Sequence, residues 1–294
     1  MNPSELTSPD GVLPRGSFLE REAKTSVTFP QIRVGEPVRD KALSVFPLFA
    51  ESNGSVDYLL ADEAIRDQLL TVQEVSEAAS VPELLVENKG DIRVLFIEGE
   101  ELVGAKQNRI LNTSILVAAK STTKIPVSCV ERGRWGFKSK FFGSSGSHSP
   151  WKLRHLLRAS VTQSLKAEGT RRSNQVGVWH SVAQLHVKYG VKSPTDAMSD
   201  AFDAYQERVS EFRAKFQYVE GASGMAVGIG KRIVACDLFD KPRQCSEPAR
   251  WRFSLFPGVT TSACSPRTIQ QGPIFGFRCT STSSWKTTVS SEGN

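Results

Sequence analysis

The chain lacks any long apolar run and any segment of the kind that directs export. No apolar stretch in its 294 residues approaches the roughly 20 that a bilayer-spanning helix needs. The first 25 residues carry charged side chains throughout and hold no apolar block, which argues against a secretory signal. The sequence therefore predicts a soluble, cytoplasmic protein, with no membrane partner and with enough apolar material for a sizeable core.

Motifs that would identify a metal or phosphate site are also missing. The chain has no CxxC, HExxH or GxxxxGK(S/T) pattern, and its four histidines show no metal-like pairing. Cys129 and Cys236 stand alone in apolar, strand-like runs, where a buried neutral thiol is expected. The remaining cysteines are Cys245, Cys264 and Cys279, and no histidine lies near them. We expect no metal centre, and the residues indicate no particular cofactor.

The net charge of +6 does not mark a nucleic-acid-binding face, because most of it lies in one segment. Residues 241–294 contain seven Lys or Arg against two Asp or Glu. The preceding 240 residues contain 30 basic against 29 acidic side chains. A nucleic-acid-binding domain is expected to carry a basic stripe on its folded body. The charge distribution therefore argues against nucleic acid as a partner.

The N-terminal half shows the pattern of a β-rich domain. Short apolar runs alternate with turn signals such as Asn88-Lys89-Gly90. The runs predict strands at residues 42–49, 56–60, 70–75, 83–86, 92–97, 110–117 and 125–130, with a short helix at 62–69. Many short strands with regular turns predict a β-sandwich or a barrel-like sheet.

A change of period follows residues 143–149, whose sequence GSSGSHS predicts a flexible loop. Apolar residues then recur at helical spacing in three runs, which begin near residues 151, 178 and 201. Thr195 or Asp196 is a plausible cap for the third helix. Residues 221–240 predict a closing β-hairpin, and its glycines precede a strand instead of the helix that a dinucleotide fingerprint requires. The fold class is therefore α+β.

Composition divides the chain into three parts. Residues 1–27 are predicted to be a flexible lead-in, and residues 28–240 a single α+β domain. In residues 241–294, Ser and Thr occupy 16 of 54 positions and no helical or strand period persists. Trp and Cys, which ordinary disordered tails avoid, are nevertheless present there. This segment is therefore either a disordered tail or an out-of-frame sequence.

Residues 94–135 interleave polar and apolar side chains, a mixture typical of a strand or hairpin that lines a polar cleft. Hydrolysis needs a carboxylate that activates water or protonates a leaving group, and Glu101 is our candidate for that role. Cationic and amide donors would hold a ligand, and the candidates here are Lys106, Gln107, Asn108, Arg109 and Asn112. The alternative is a structural polar network that pins a hairpin.

On an extended segment, Lys106 and Asn108 share one face, while Gln107 and Arg109 share the other. This alternation makes the orientation of the segment decisive for any site built on it.

Two further groups are candidate ligand contacts. Glu131 and Arg134 lie beside Trp135, so that the guanidinium could hold a phosphate while the indole stacks on a base. The alternative, which we favour for Trp135, is a Glu131–Arg134 ion pair at a strand end with the indole filling the core. Gln175 and Trp179 lie one turn apart on one helix face and could close over the sheet.

Three blocks of sequence carry a family resemblance: GEELVGAKQNRILNTSILV, IPVSCVERGRW and GMAVGIGKRIVACDLFD. They resemble the ARG and Rhodanese-Phosphatase-superfamily-associated protein domain, in which ARG denotes ADP-ribosylglycohydrolase. The resemblance covers about residues 28–240 and departs in the tail. It implies a link to NAD-derived or ADP-ribose chemistry without specifying a reaction.

Two functions remain open at this point. The first is a domain that binds, and as a further option hydrolyses, an NAD-derived or ADP-ribosyl small molecule in a polar cleft, with Glu101 as acid or base. The second is a non-catalytic binding or scaffold module that partners enzymes processing ADP-ribose. An RNA-associated role is a weaker third option, because the body of the chain is nearly neutral.

Overall fold

A computed structural model describes residues 30–51, 56–76 and 82–242. Within these ranges the chain forms 14 strands and five helices, which confirms the α+β class. The predicted lead-in at 1–27 and all but the first two residues of the predicted tail at 241–294 lie outside the described residues. Among the residues that are described, no helix has both the length and the apolar character needed to cross a membrane.

The first sheet brings the two ends of the described chain together. Its strands are β1 (Ile32–Val34), β2 (Val38–Asp40), β3 (Leu43–Ala50), β13 (Gly224–Ile229) and β14 (Arg232–Leu238). The predicted closing hairpin is confirmed as β13 and β14, with Gly230 at its turn in the left-handed region. Strand β13 pairs along the whole of its length with β3, for example Ala226 with Phe46. The hairpin therefore completes a sheet that the N-terminal strands begin.

The second sheet is the curled half-barrel on which the candidate site is built. Its six strands follow the order β12-β8-β9-β11-β6-β5. Their bounds are β5 (Leu70–Glu74), β6 (Glu83–Asn88), β8 (Glu100–Gly104), β9 (Arg109–Leu111), β11 (Ser121–Cys129) and β12 (Phe142–His148). The prediction of a flexible loop at 143–149 is wrong, because most of that segment is β12. Its small side chains show no strand pattern, and pairing with β8 orders it.

A third, three-stranded sheet has the order β10-β7-β4, with bounds Ile115–Val117 for β10, Arg93–Phe96 for β7 and Tyr58–Leu60 for β4. The single strand predicted at 110–117 is therefore two strands in two sheets. The break falls at residues 112–114. There the backbone N–H of Asn112 donates to the Pro126 carbonyl, and the Ser114 hydroxyl accepts from the backbone N–H of Glu98. These polar residues carry the chain from one sheet to the next.

Five helices complete the fold: α1 (Ala61–Arg66), α2 (Trp151–Glu168), α3 (Gln175–Tyr189), α4 (Met198–Asp203) and α5 (Gln206–Lys215). The third predicted helix is divided into α4 and α5 at residues 204–205. The predicted cap is also wrong, since Ala197 is the N-cap of α4 and Asp196 adopts a left-handed φ of 54°. Helices α2, α3 and α4 pack on one face of the half-barrel.

At β8 and β9 both faces of the half-barrel are buried, which is the property that positions the site. The inner face contributes Leu102, Leu111 and Val127 to the largest hydrophobic core. The outer face contributes Ile110 and Val130 to a second core formed with the helices. Because successive side chains of a strand point to opposite faces, neighbouring polar residues of β8 and β9 enter different interiors.

A buried ionic junction fastens α2 to the first sheet. Arg154 donates from Nη1 and Nη2 to the two carboxylate oxygens of Asp237 on β14, at 2.9 and 2.6 Å. Glu98 lies 3.7 Å from the same guanidinium and accepts from Nε of Arg158 at 2.8 Å. Burial opposes ionisation of Asp237, but the Arg154 charge outweighs it and lowers the pKa of Asp237 to about 2. The Arg154–Asp237 ion pair therefore stays charged at neutral pH.

We expect Arg154→Met to lower the free energy of unfolding by about 3–5 kcal/mol, because it leaves a buried carboxylate without its partner. Urea unfolding at pH 7 measures the change. Lys124→Met, which removes a half-exposed ion pair with Glu83, is the control and should change little. In the wild type, the contribution of ionised Asp237 to the free energy of unfolding should be present above pH 4. It should be lost as pH falls towards 2, because the pKa of Asp237 is lowered in the folded state. A loss of the size seen for the control would contradict this account.

Candidate functional site

Strand β8 buries Glu101 on the outer face of the half-barrel, opposite Ile110 of β9. The side chain is fully buried, with an exposed fraction of 0%. Its Oε2 accepts a hydrogen bond from the Ser145 hydroxyl at 3.1 Å, whereas its Oε1 has no hydrogen-bond partner among the described residues. A buried carboxyl oxygen without a partner is costly, and such groups concentrate at functional sites.

The surroundings of Glu101 keep it protonated. Burial is the main reason that its pKa rises to about 8, and the hydrogen bond from Ser145 opposes the rise. The negative charges of Asp203, Glu131 and Asp200 raise the pKa further. Two of these carboxylates come from α4, which Asn108 fixes against the β8–β9 turn by donating to Ser199 at 3.3 Å. At neutral pH, the Glu101 carboxyl is therefore protonated and can act as a general acid.

Strand β12 is irregular opposite Glu101. The register with β8 shifts between Ser144 and His148, so that Ser145 lies in a β-bulge. Bulges of this kind are common next to active sites, because they redirect a side chain. Gly143 pairs with Val103, and a side chain placed on Gly143 would meet no atom within 4 Å. The edge strand β12 is thus only partly buried, whereas Glu101 beneath it is fully buried.

We expect Glu101→Gln to raise the melting temperature at pH 8 and to leave it nearly unchanged at pH 4. In the unfolded chain, a glutamate ionises near pH 4.3, whereas folded Glu101 ionises near pH 8. The stability that neutral Glu101 contributes is therefore fully present below its unfolded pKa and is lost as pH rises towards 8. Differential scanning calorimetry from pH 4 to pH 9 measures the difference between variant and wild type. A constant difference across this range would show that Glu101 is not held neutral.

The turn between β8 and β9 sends its side chains in opposite directions, as the sequence predicts. Asn108 faces the helices: its backbone N–H donates to Glu131, and its side-chain Oδ1 accepts from Arg134. Gln107 faces the inner side and accepts from Arg109 at 2.9 Å. The predicted ligand contacts therefore do not share one cleft, because the sheet separates the Glu101 side from the Arg109 side.

Arg109 is fully buried on the inner face. Its Nη1 donates to Sγ of Cys129 at 2.9 Å, and its Nη2 lies 3.5 Å from the Glu74 carboxylate on β5. Arg109 Nε and Glu74 Oε2 have no partner among the described residues. Burial raises the pKa of the Cys129 thiol, which keeps it neutral as expected. Arg109 retains one unused donor in the core.

The turn ends at a rim of aromatic and basic side chains. Lys106 Nζ lies 5.5 Å from the ring centroid of Trp135 and 4.9 Å from that of Phe137. The Trp135 ring also lies 6.0 Å from the Arg109 guanidinium. Trp135 is 52% exposed, so the prediction that it fills the core is wrong. We call Lys106, Trp135 and Phe137 the aromatic–basic rim.

The Arg134 guanidinium is used in hydrogen bonds within the protein. It donates to both oxygens of Glu131, at 2.7 and 2.6 Å, and to the carbonyls of Gly104, Ala105 and Gly136. Burial opposes ionisation of Glu131, but hydrogen bonds from Arg134, Asn108 and Thr195 prevail and lower its pKa. The predicted Glu131–Arg134 pair is thus present, and it ties the rim segment to the β8–β9 turn.

The remaining predicted contacts lie on helix α3 or on the sheet beside it. Gln175, its first residue, donates to the Cys129 carbonyl and accepts from the Cys129 amide, so both ends of its side chain are used. Asn112 accepts from Ser128 at 2.6 Å and donates to the Arg171 carbonyl. Trp179 lies 5.5 Å from the Arg132 guanidinium, and its Nε1 has no partner among the described residues. Gln175 and Asn112 hold α3 against the sheet.

Sequence reasoning missed four residues of the candidate site: Glu74, Phe137, Gly143 and Ser145. Glu74 ends a strand 35 residues before Arg109, and nothing in the sequence couples the two. Gly143 and Ser145 lie in the segment predicted as a loop. Phe137 follows Trp135 at strand spacing, and this exposed aromatic pair beside lysines is the one signal that could have indicated the rim.

The comparisons with known proteins agree with the sequence blocks noted above. Residues 31–252 match the ARG and Rhodanese-Phosphatase-superfamily-associated Protein domain. The chain belongs to this family. No curated protein and no solved structure matched it. In the described part of this family member, no three His, Cys, Asp or Glu side chains are grouped so as to hold a metal ion.

Proposed function

We propose that this family member binds an NAD-derived or ADP-ribosyl small molecule at the aromatic–basic rim. The observation that carries the proposal is the position of Lys106 between two exposed aromatic rings above a buried arginine. The link to ADP-ribose chemistry comes from the family, whose description names an association with ARG, the abbreviation for ADP-ribosylglycohydrolase. The rim supplies the types of contact that such a ligand needs.

Each part of the ligand has a matching group. The exposed Trp135 indole offers a flat face on which a nucleobase can stack, a contact that needs no base-specific hydrogen bond. Lys106 beside it can neutralise a phosphate. On the segment that carries Trp135, Arg132 and Lys138 add further positive charge, whereas Arg134 is paired with Glu131. The positive charge of this segment favours an anionic ligand.

Glu101 supports the second part of the proposal, which is hydrolysis of the bound molecule. It lies five residues before Lys106, on the strand that leads to the rim. At about 3.3 Å per residue, the two positions are at most about 17 Å apart. A ligand held at Lys106 would therefore lie near the strand that carries Glu101, whose side chain is itself fully buried.

The second candidate function is a non-catalytic binding or scaffold module. It is favoured by the complete use of Arg134 and Gln175 in internal hydrogen bonds, which leaves neither side chain free for catalysis. An exposed rim of aromatic and basic residues also suits contact with a partner enzyme.

We expect ADP-ribose to bind the full chain and to lose affinity in Trp135→Ala and in Lys106→Ala, as measured by isothermal titration calorimetry. Loss of base stacking costs about 1–3 kcal/mol, or roughly 5- to 150-fold in Kd. Phe141→Ala and Lys140→Ala are matched controls, because these residues form a separate exposed pair on the same segment. Equal losses in the controls would remove the rim as the binding site. Absence of saturable binding by wild type would favour the scaffold function.

A further inference from the structure

We propose that the aromatic–basic rim takes a dinucleotide, in which two bases are joined through a pyrophosphate, in preference to ADP-ribose, which has one base. The inference rests on the proposed function and adds the class of ligand that the rim selects. Phe137 carries it, because this exposed ring stays uncovered when a ligand with a single base stacks on Trp135.

The rim presents two aromatic rings to solvent. Trp135 is 52% exposed and Phe137 is 58% exposed, so neither ring is used to fill the core. Lys106 Nζ lies 5.5 Å from the centroid of the first ring and 4.9 Å from that of the second. One lysine is therefore adjacent to both rings, and the three side chains form a single surface. Isolated exposed apolar residues are ordinary, whereas grouped ones are typical of binding sites.

Hydrogen bonds on both sides of the two rings hold the backbone that carries them. On one side, Arg134 donates to the Ala105 carbonyl at 2.6 Å and to the Gly136 carbonyl at 3.0 Å. On the other side, the backbone N–H of Lys138 donates to the same Ala105 carbonyl at 2.9 Å. Because Ala105 directly precedes Lys106, the segment with both rings is held beside the lysine in the free protein. A ligand then loses less binding free energy to ordering the site.

A dinucleotide matches this arrangement of two rings around one cation. Each base can stack on one ring, a contact that every base is able to make. The pyrophosphate lies between the two bases of the ligand, and Lys106 is adjacent to both rings of the rim. ADP-ribose has the same pyrophosphate, but its second end is a sugar, which has no aromatic face. It can therefore engage Trp135 and Lys106 while it leaves Phe137 in water.

Single-stranded nucleic acid also combines bases with phosphates, but the charge of the chain favours the small molecule. Proteins that bind single strands follow the backbone over several nucleotides with a positively charged groove. The first 240 residues of this chain instead hold 30 basic against 29 acidic side chains. The positive charge near the two rings is local, which suits a short ligand with one pyrophosphate.

Isothermal titration calorimetry of the full chain with NAD and with ADP-ribose tests the inference, because the two molecules differ only in the nicotinamide base. We expect the Kd of NAD to be about 5- to 150-fold lower, which is the contribution of one stacked base. Diadenosine diphosphate has two bases and no positively charged ring. It should show the same preference over ADP-ribose if stacking, and not the charge of nicotinamide, is the cause.

Variants of Phe137 test whether this ring holds the second base. Phe137→Ala should raise the Kd of NAD to that of ADP-ribose and leave the Kd of ADP-ribose unchanged. Phe137→Leu should do the same, since it keeps an apolar side chain without an aromatic face, whereas Phe137→Trp should retain the preference. Phe141→Ala, at another exposed phenylalanine of the segment, is the matched control and should keep the wild-type preference. Since both positions are exposed, the melting temperature should not change.

The outcomes separate this inference from the proposed function. Equal affinity of the wild type for NAD and ADP-ribose overturns the dinucleotide assignment and leaves the proposed function intact. An equal loss of affinity for both ligands in Phe137→Ala, or loss of the preference in Phe141→Ala, overturns it as well. Tighter binding of oligothymidylate than of diadenosine diphosphate would assign the rim to single-stranded nucleic acid instead. Failure of the wild type to bind any of these molecules overturns the proposed function and this inference together.

Discussion

The half-barrel sheet is buried on both faces at β8 and β9, and the rest of the candidate site depends on that constraint. The inner face packs on one hydrophobic core and the outer face on another, formed with α2, α3 and α4. A strand in this position has no solvent side on which to place its polar residues. Every polar side chain of β8 and β9 therefore enters an interior, where it must find a partner or remain a cost.

Most buried polar groups elsewhere in the described domain do find partners, and these contacts hold its layers together. Gln175 binds the backbone of Cys129, Arg134 binds Glu131 and three carbonyls, and Arg154 binds Asp237. Each contact joins segments that the sheet alone would leave separate. Among the exceptions in the described residues are atoms of Glu101, Arg109 and Glu74, which keep unused hydrogen-bonding capacity inside the protein. Natural structures keep few such groups, and a functional role is one reason for their retention.

The same burial divides the chemistry of the domain. The outer face holds a neutral acid among carboxylates, and the turn beyond it ends in a rim of basic and aromatic side chains. The proposal that the rim holds an anionic ligand thus rests on the separation of opposite charges between β8 and the turn that follows it, more than on any single motif.

Sequence by itself determined the class of the fold, the closing hairpin and the family. Hydrophobic periodicity distinguishes strands from helices, and the three sequence blocks indicate the family that the match over 31–252 shows. It also predicted that Gln107 and Asn108 face opposite ways, although both lie in the turn between β8 and β9 and not on a strand. Only the tertiary structure decided that β12 is a strand, that Trp135 is exposed and that Glu101 and Arg109 lie on opposite sides of the sheet. These features depend on which distant segment covers each face, and no local pattern carries that information.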